Sequence, residues 1–235
     1  MLVDERVVSF IRSLNKEDNE LVSRMEREAR EQEVPIVRSE TKELLKVLEL
    51  IQKPKRILEV GTAVGFSAIY MSQFLPEDGE IVTIEKYPPR ICQAKENFRL
   101  AGVESIVTLL EGDAAELLTE LTEPFDMIFM DAAKGQYIHF LPEVLRLLVP
   151  GGVLISDNVL QDGDVLESHY AIAKRDRTIH SRMREYLYEI KHHPLLETAI
   201  IPIGDGVAIS TRVEAEAQIG LETQVECKTE GEGHA

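Results

Sequence analysis

Apolar side chains recur at helical spacing through the first fifty residues. Before residue 33 they fall into two groups, separated by the polar stretch from Asn15 to Asn19. This spacing predicts two amphipathic helices. A further apolar face runs from Leu44 to Ile51, in a helix that we expect Ser39 to cap and Pro54 to end.

The pattern then changes to short apolar runs that alternate with helical segments. The predicted strands are Arg56–Val60, Glu80–Glu85, Ile106–Glu111, Phe125–Met130 and Gly152–Ser156. The predicted helices between them are Ser67–Phe74, Arg90–Ala101, Ala114–Leu121 and Tyr137–Leu148. Strands that alternate with helices are typical of βαβ units, so the sequence predicts an α/β fold with a doubly wound parallel sheet.

The end of this region departs from the alternation. The predicted strands Ala199–Ile203 and Val207–Thr211 flank Gly204-Asp205-Gly206, which indicates an antiparallel hairpin. This ending is unlike that of a dinucleotide-binding dehydrogenase and resembles the Rossmann-like fold of class I S-adenosylmethionine-dependent methyltransferases. We therefore predict a helical N-terminal extension (residues 1–38), a methyltransferase domain (39–212) and an acidic disordered tail (213–235).

Composition and charge narrow the class of protein. The chain has 26 basic and 42 acidic residues, a net charge of −16, which argues against a general nucleic-acid coat protein. The tail contributes six glutamates and one lysine to this balance. Charged residues occupy the place of a signal peptide, no segment suits a membrane helix, and the two cysteines are far apart in the sequence. We expect a soluble cytoplasmic protein.

A glycine-bearing turn follows the first predicted strand. Gly61 and Gly65 lie between that strand and the next helix, although Ala63 replaces the middle glycine of the dinucleotide-binding pattern. Glu85 ends the second strand, where a carboxylate can accept both hydroxyls of a ribose. Asp113 ends the third strand, where it can contact an adenine or cap the next helix. The alternatives are a turn that binds no ligand and a solvated Glu85.

Oxygen-bearing side chains follow the fourth and fifth strands. Asp131 comes directly after one strand, and Asp157 and Asn158 come directly after the other. Ligands in open α/β sheets bind beyond the carboxyl ends of the strands, and three oxygen donors suit a hard cation such as Mg²⁺. The alternative is that these side chains only cap helices.

Five motifs, in order, carry a resemblance to a known family. They are ILEVGTAVGFSAIYMS, VTIEKYPP, LEGDA, FDMIFMDAAKGQY and GGVLISDNVL. Together they resemble the cation-dependent O-methyltransferases, the group that includes catechol and caffeoyl-CoA O-methyltransferases. The resemblance covers roughly Val37 to Arg212. Within the family, the chain is most similar to the bacterial tRNA 5-hydroxyuridine methyltransferases, which make 5-methoxyuridine at the wobble position.

The resemblance implies a role for each matching residue. The implied S-adenosylmethionine site comprises Val37, Gly61, Gly65, Ser67, Glu85, Asp113, Ala114 and Asp131. The implied ligands of Mg²⁺, or of another divalent cation, are Asp131, Asp157 and Asn158. Lys134 matches the catalytic lysine of the family, and Asp131 acts with it.

One basic segment favours tRNA as the substrate. The candidate RNA contacts are Arg38, Lys174, Arg175, Arg177, Arg182 and Arg184, with tyrosines close by. Basic and aromatic side chains can hold phosphates and stack on a base. The alternatives are a solvated basic helix face, a catechol-like small substrate, and a non-catalytic nucleoside-binding module. An NAD-dependent oxidoreductase is a weaker alternative. We also expect a homodimer.

Overall fold

Three helices precede the sheet, as the apolar spacing predicts. In the computed structural model, which describes residues 3–31 and 34–214, they are α1 (Glu5–Ser13), α2 (Glu20–Glu31) and α3 (Ser39–Gln52). The predicted cap of α3 is wrong by one residue. Arg38 holds the N-cap position in an extended conformation without a side-chain cap, and Ser39 is the first helical residue.

Among residues 3–31 and 34–214, seven strands form one sheet. They are β1 (Arg56–Val60), β2 (Glu80–Glu85), β3 (Val107–Glu111), β4 (Phe125–Met130), β5 (Leu148–Ser156), β6 (Leu196–Ile201) and β7 (Val207–Arg212). Their order across the sheet is β3-β2-β1-β4-β5-β7-β6. Pairing is parallel from β3 to β5, and β7 runs antiparallel to both of its neighbours. The predicted parallel sheet and its terminal hairpin are confirmed.

Four helices that connect the strands lie close to their predicted positions. They are α4 (Phe66–Ser72), α5 (Pro88–Ala101), α6 (Ala114–Glu120) and α7 (Tyr137–Leu147), and α8 (Arg177–His192) follows β5 in the basic segment. The largest error concerns β5, which begins at Leu148 rather than at Gly152. Leu148 pairs with Phe125 across an irregularity in the ladder, so the strand continues through the Pro-Gly-Gly stretch that looks like a turn.

Apolar side chains cover both faces of the sheet. On one face, residues such as Leu118, Val144 and Tyr186 bring α6, α7 and α8 onto the strands. On the other face, α2, α3, α4 and α5 pack together. This double cover accounts for the near-continuous apolar strands of the sequence, because a parallel strand is buried on both sides.

A buried lysine joins the N-terminal helices to the domain. Lys42 in α3 is almost fully buried and forms ion pairs with Asp18 and Glu26, which lie just before and within α2. Val22 and Met25 of α2 are part of the core shared with α4. The ion pairs of Lys42 and the apolar packing of α2 therefore both hold the start of α3 in place.

Three expectations stay open after the fold is described, which are the cytoplasmic location, the acidic tail and the homodimer. Within residues 3–31 and 34–214, no helix combines the length and the apolar character that a membrane crossing requires. The predicted tail lies outside the described residues from residue 215 onward. Apolar side chains of α1 and α3 are exposed, among them Phe10, Ile11 and Ile51. The homodimer remains a prediction.

Candidate functional site

The turn after β1 accepts only glycine at its first position. Gly61 has φ +110°, which L side chains rarely adopt, and a Cβ atom there would overlap the carbonyl oxygen of Asp131. The backbone N–H groups of Gly61 and Thr62 both donate to the carbonyl of Ile84 at 3.1 Å. The ends of β1, β2 and β4 are thereby drawn together.

We expect Gly61→Ala to destabilise the fold by about 3 kcal/mol, because strain and overlap with backbone add up. Gly102→Ala is a matched control, since Gly102 also has positive φ but a Cβ atom there meets no atom within 4 Å. Its expected cost is about 1 kcal/mol. Urea unfolding of both variants measures the difference. Equal losses would mean that close approach to Asp131 does not govern this position.

A cleft of about 690 Å³ lies beyond the carboxyl ends of the strands. Six of the predicted cofactor and metal residues line it, which are Gly61, Glu85, Asp113, Ala114, Asp131 and Asn158. Lys134 also borders the cleft. The structure therefore brings together most of the predicted cofactor site and part of the predicted metal site.

Glu85 is held by backbone donors in the wall of the cleft. Its Oε2 accepts from the N–H of Ala63 at 2.9 Å, and its Oε1 accepts from the N–H groups of Lys86 and Tyr87, both at 2.9 Å. A carboxylate has about four lone-pair positions, so acceptor capacity remains for a ligand. Glu85 thus ties the turn after β1 to the end of β2, and its role at a ribose stays a prediction.

Asp113 caps α6. Its side chain accepts from the N–H of Ala115 at 2.9 Å and pairs with Lys86 at 3.2 Å. These two contacts, the backbone one first, lower the pKa of Asp113 below its usual value. The cap expected from the sequence is confirmed, and the carboxylate also borders the cleft.

Three predicted cofactor residues do not line the cleft. Val37 is buried in the core that α3 and α4 share, and Ser67 is buried in the first turn of α4. Gly65 starts α4 with φ +82°, and a Cβ atom there would lie 2.6 Å from the ring of Phe98. Pro35 borders the cleft instead.

Asp131 and Asp157 lie at adjacent strand ends. Met130 pairs with Ser156 in the sheet, and the N–H of Asp157 donates to the carbonyl of Met130 at 3.0 Å. Asp157 is only 1% exposed. Burial, and after it the charge of Asp131, raise the pKa of Asp157 well above its ordinary value. A cation between two such carboxylates would relieve this cost.

Asn158 completes a set of oxygen donors. Its backbone has φ +56°, and its Nδ2 donates to Oδ2 of Asp205 at 3.1 Å, which leaves the amide oxygen free. In the described part of the chain, no three His, Cys, Asp or Glu side chains are grouped to hold a metal. The predicted set has a different chemistry, two carboxylates and one amide oxygen, and this set suits a hard cation.

Lys134 lies directly beside the acidic centre. It begins a 3₁₀ turn after β4, and its Nζ is 2.8 Å from Oδ1 of Asp131 and 3.1 Å from the hydroxyl of Tyr137. Tyr137 is buried, and its hydroxyl donates to the carbonyl of Met130 at 2.8 Å. Sequence reasoning missed Tyr137 as part of the site, although its spacing three residues after Lys134 was a usable signal.

A second cavity of about 500 Å³ adjoins the cleft. Ala133, Lys134 and Gln136 line both spaces. The rest of the second cavity is formed by the 3₁₀ turn Gln161–Leu166, the loop before α8 and α8 itself. Lys134 therefore stands between two spaces, each large enough for a planar ring system.

All five of the predicted RNA-contacting arginines are engaged within the protein, Arg175 by an ion pair with the neighbouring Asp176. Arg177, Arg182 and Arg184 donate to the carbonyls of Ile172, Gly135 and Val165, respectively. Arg38 pairs with Asp162 and Asp205. Lys174 and Arg175 lie in the loop before α8 and are exposed. A role for all six residues at RNA stays a prediction.

Comparison with known proteins identifies the family. The sequence model of the family described as O-methyltransferase matches residues 12–213. The chain belongs to the O-methyltransferase family. This O-methyltransferase is 40% identical over 129 residues to a catechol O-methyltransferase of Niastella koreensis, a match that covers 53% of this chain and 58% of that protein.

Solved structures agree with this assignment. The O-methyltransferase TomG of Streptomyces achromogenes, in complex with SAM, has a TM-score of 0.78 and 28% identity, and covers 89% of this chain and 96% of its own. The SAH-bound methyltransferase PaMTH1 of Podospora anserina has a TM-score of 0.80 and 25% identity, with coverage of 89% and 95%. The predicted class I fold and the predicted O-methyltransferase class are confirmed.

Proposed function

We propose that this O-methyltransferase transfers the methyl group of S-adenosylmethionine to the 5-hydroxyl of 5-hydroxyuridine at the wobble position of tRNA, in a Mg²⁺-dependent reaction. The product is 5-methoxyuridine. One observation carries the proposal: Lys134 and Gln136 border both the cofactor cleft and the second cavity, beside Asp131. A methyl donor in the cleft and a base in the cavity would meet at this point.

The cofactor assignment rests on the cleft and on the family. Glu85 and Asp113 present carboxylates at the ends of β2 and β3, where a nucleoside is expected to bind in such a sheet. Members of the same structural group bind SAM or SAH. We therefore assign the cleft to S-adenosylmethionine.

The metal assignment rests on the donor set. Asp131, Asp157 and Asn158 would hold the cation, and Mg²⁺ bound there would lower the pKa of the substrate hydroxyl. Lys134 has three N–H donors, of which Asp131 and Tyr137 take two. The third is left to stabilise negative charge on the substrate oxygen.

The transfer itself needs little further covalent assistance. The hydroxyl oxygen forms a bond to the methyl carbon while the carbon–sulfur bond breaks, and S-adenosylhomocysteine leaves as a neutral thioether. The hydroxyl proton is released to solvent. The protein's contribution is to hold donor and acceptor in line, and positioning of this kind is a large part of catalysis in two-substrate reactions.

Features of the second cavity support RNA as the substrate. The loop that carries Lys174 and Arg175 lies between Ile172 and Asp176, which both line the cavity. Tyr170 in the same loop is 86% exposed, so its ring is available for stacking on a base. The remaining surface is acidic and repels misplaced RNA backbone. The rival substrate is a catechol-like molecule, which the name of the Niastella koreensis relative favours.

Methyl transfer from labelled S-adenosylmethionine separates these substrates. The acceptors are tRNA that contains 5-hydroxyuridine and a simple catechol, each with Mg²⁺ and with EDTA. We expect labelled methyl groups in the tRNA when Mg²⁺ is present, and no label in the tRNA with EDTA or in the catechol. Label in the catechol alone would support methyl transfer but contradict tRNA as the substrate. Label in neither acceptor would leave only the assignment of the cleft to the cofactor.

The double variant Lys174→Ala/Arg175→Ala is expected to raise KM for tRNA about tenfold and to weaken its salt dependence, because fewer phosphate contacts release fewer counterions. The matched control is Lys95→Ala/Arg99→Ala, which removes an exposed lysine and arginine from α5. Steady-state kinetics with tRNA as the substrate, at salt concentrations from about 50 to about 200 mM, measure both effects. Unchanged kinetics of the first variant would remove this loop from the RNA contacts.

A further inference from the structure

The β6–β7 turn contacts the segment that follows β5. The N–H of Val159 donates to the carbonyl of Gly206 at 2.9 Å, and the N–H of Leu160 donates to the carbonyl of Asp205 at 2.8 Å. The Asp205 side chain adds a third contact, because its Oδ2 accepts from Nδ2 of Asn158 at 3.1 Å. The turn therefore holds both the backbone and one side chain of this segment.

The turn is built for this close approach. Gly206 has φ +87°, and a Cβ atom there would overlap the side chain of Leu160. Asp205 is mostly buried, with 15% of its side chain exposed. A larger residue at Gly206 would push the turn, and Asp205 with it, away from Asn158.

A second anchor comes from the start of α3. Arg38 forms an ion pair with Asp205 and lies 3.3 Å from Asp162. One turn later, the Thr41 hydroxyl lies 3.5 Å from Oδ1 of Asp157. Both of the proposed metal ligands after β5 are thus contacted by residues that are distant in sequence.

The chemistry of Asp205 decides which end of the Asn158 amide it binds. An ionised carboxylate only accepts hydrogen bonds, so it takes the NH₂ end of the amide. The amide oxygen of Asn158 then makes no contact with Asp205 and is available to a ligand. Asn158 borders the cleft together with Asp131. An amide nitrogen is no ligand for a hard cation, whereas the oxygen is a good one.

We propose that Asp205 is a positioning residue, which turns the amide oxygen of Asn158 toward the cation, and that Arg38 holds Asp205 in place for this purpose. The inference rests on the metal site of the proposed function. Groups that orient metal ligands contribute about 10–100-fold to metal affinity. Asp205 itself is not among the described residues that line the cleft.

Mn²⁺ binding to the full-length protein tests this role without the reaction. The loss of the electron paramagnetic resonance signal of free Mn²⁺ gives the dissociation constant. Asp205→Ala is expected to raise it about 10–100-fold. The dissociation constant of Asp205→Asn is expected to lie between those of the wild type and Asp205→Ala. The new amide oxygen still accepts from Asn158, whereas the ion pair with Arg38 is lost. Asp78→Asn, a loss of charge at an exposed carboxylate that pairs with Lys55 just before β2, is expected to stay within about threefold of the wild type.

The outcomes separate this inference from the proposed function. If the wild type binds no Mn²⁺, the metal site fails and the role of Asp205 fails with it. If the wild type binds Mn²⁺ and Asp205→Ala binds it equally well, only the role of Asp205 is overturned. If Asp205→Ala does not fold, Asp205→Asn against Asp78→Asn decides, and equal affinities of these two overturn the role.

Discussion

Asp157→Asn is expected to lower kcat for methyl transfer by about 10³-fold, while the dissociation constant of S-adenosylmethionine stays nearly unchanged. The amide keeps the shape of the side chain and one acceptor for the N–H of Asn158, which now lies 2.8 Å from Oδ1. It removes the charge that would bind the cation. Single-turnover kinetics and calorimetric titration of the cofactor measure the two quantities.

The same substitution is expected to stabilise the metal-free protein. Burial raises the pKa of Asp157 to about 7, so the folded state pays for ionising this group and the unfolded state does not. The wild type therefore loses stability relative to Asp157→Asn as pH rises from about 4 toward 7. Urea unfolding at pH 5 and pH 8 in EDTA shows whether the gap between the two proteins widens.

Asp126→Asn is a matched control at the other end of β4. Asp126 accepts from the backbone N–H groups of Lys55 and Arg56 at 2.8 and 2.9 Å, far from the cleft. Its loss is expected to reduce stability by about 1 kcal/mol and to leave kcat unchanged. Full turnover by Asp157→Asn would falsify the metal mechanism, whatever its stability.

Lys134→Met is expected to lower kcat by about 10²–10³-fold, because the ammonium no longer stabilises charge on the substrate oxygen. Methionine keeps the apolar length of the chain. Cofactor affinity is expected to change little, since Glu85 and Asp113 stay in place at the other side of the cleft. Pre-steady-state methyl transfer with saturating cofactor measures the loss.

Tyr137→Phe provides a graded comparison for Lys134. It removes the hydroxyl 3.1 Å from Nζ but leaves the contact with Asp131 at 2.8 Å. We expect a loss of about tenfold, because one of two anchors of the ammonium remains. A loss in Tyr137→Phe as large as that in Lys134→Met would mean that the ammonium acts only when both Asp131 and Tyr137 hold it.

The sheet and the cofactor cleft were predictable because their signals are local. Each strand is a short apolar run, and the side chain that follows it is placed by the end of that strand. The sequence alone therefore assigns four residues to one edge of the sheet, which are Gly61, Glu85, Asp113 and Asp131. The same logic paired Asp131 with Asp157, because β4 and β5 are neighbours.

The contacts that support the site were not predictable in this way. Asp205 reaches Asn158 because β7 inserts next to β5, and the turn before β7 then lies over the segment after β5. Arg38 and Thr41 join from a helix more than a hundred residues earlier in the chain. The sequence shows a basic segment before and within α8, but not that three of its arginines hold backbone carbonyls.

The division of the active centre into two spaces bears on how such an enzyme diversifies. The cleft for the methyl donor is built from strand ends, whose sequence is constrained by the sheet. The adjoining cavity is closed largely by residues 161–182, a connecting segment and the first turns of α8, and it shares with the cleft only the short stretch around Lys134. With the acceptor in that cavity, as proposed, substitutions in this one contiguous segment are expected to change the acceptor and to leave the binding of the methyl donor intact.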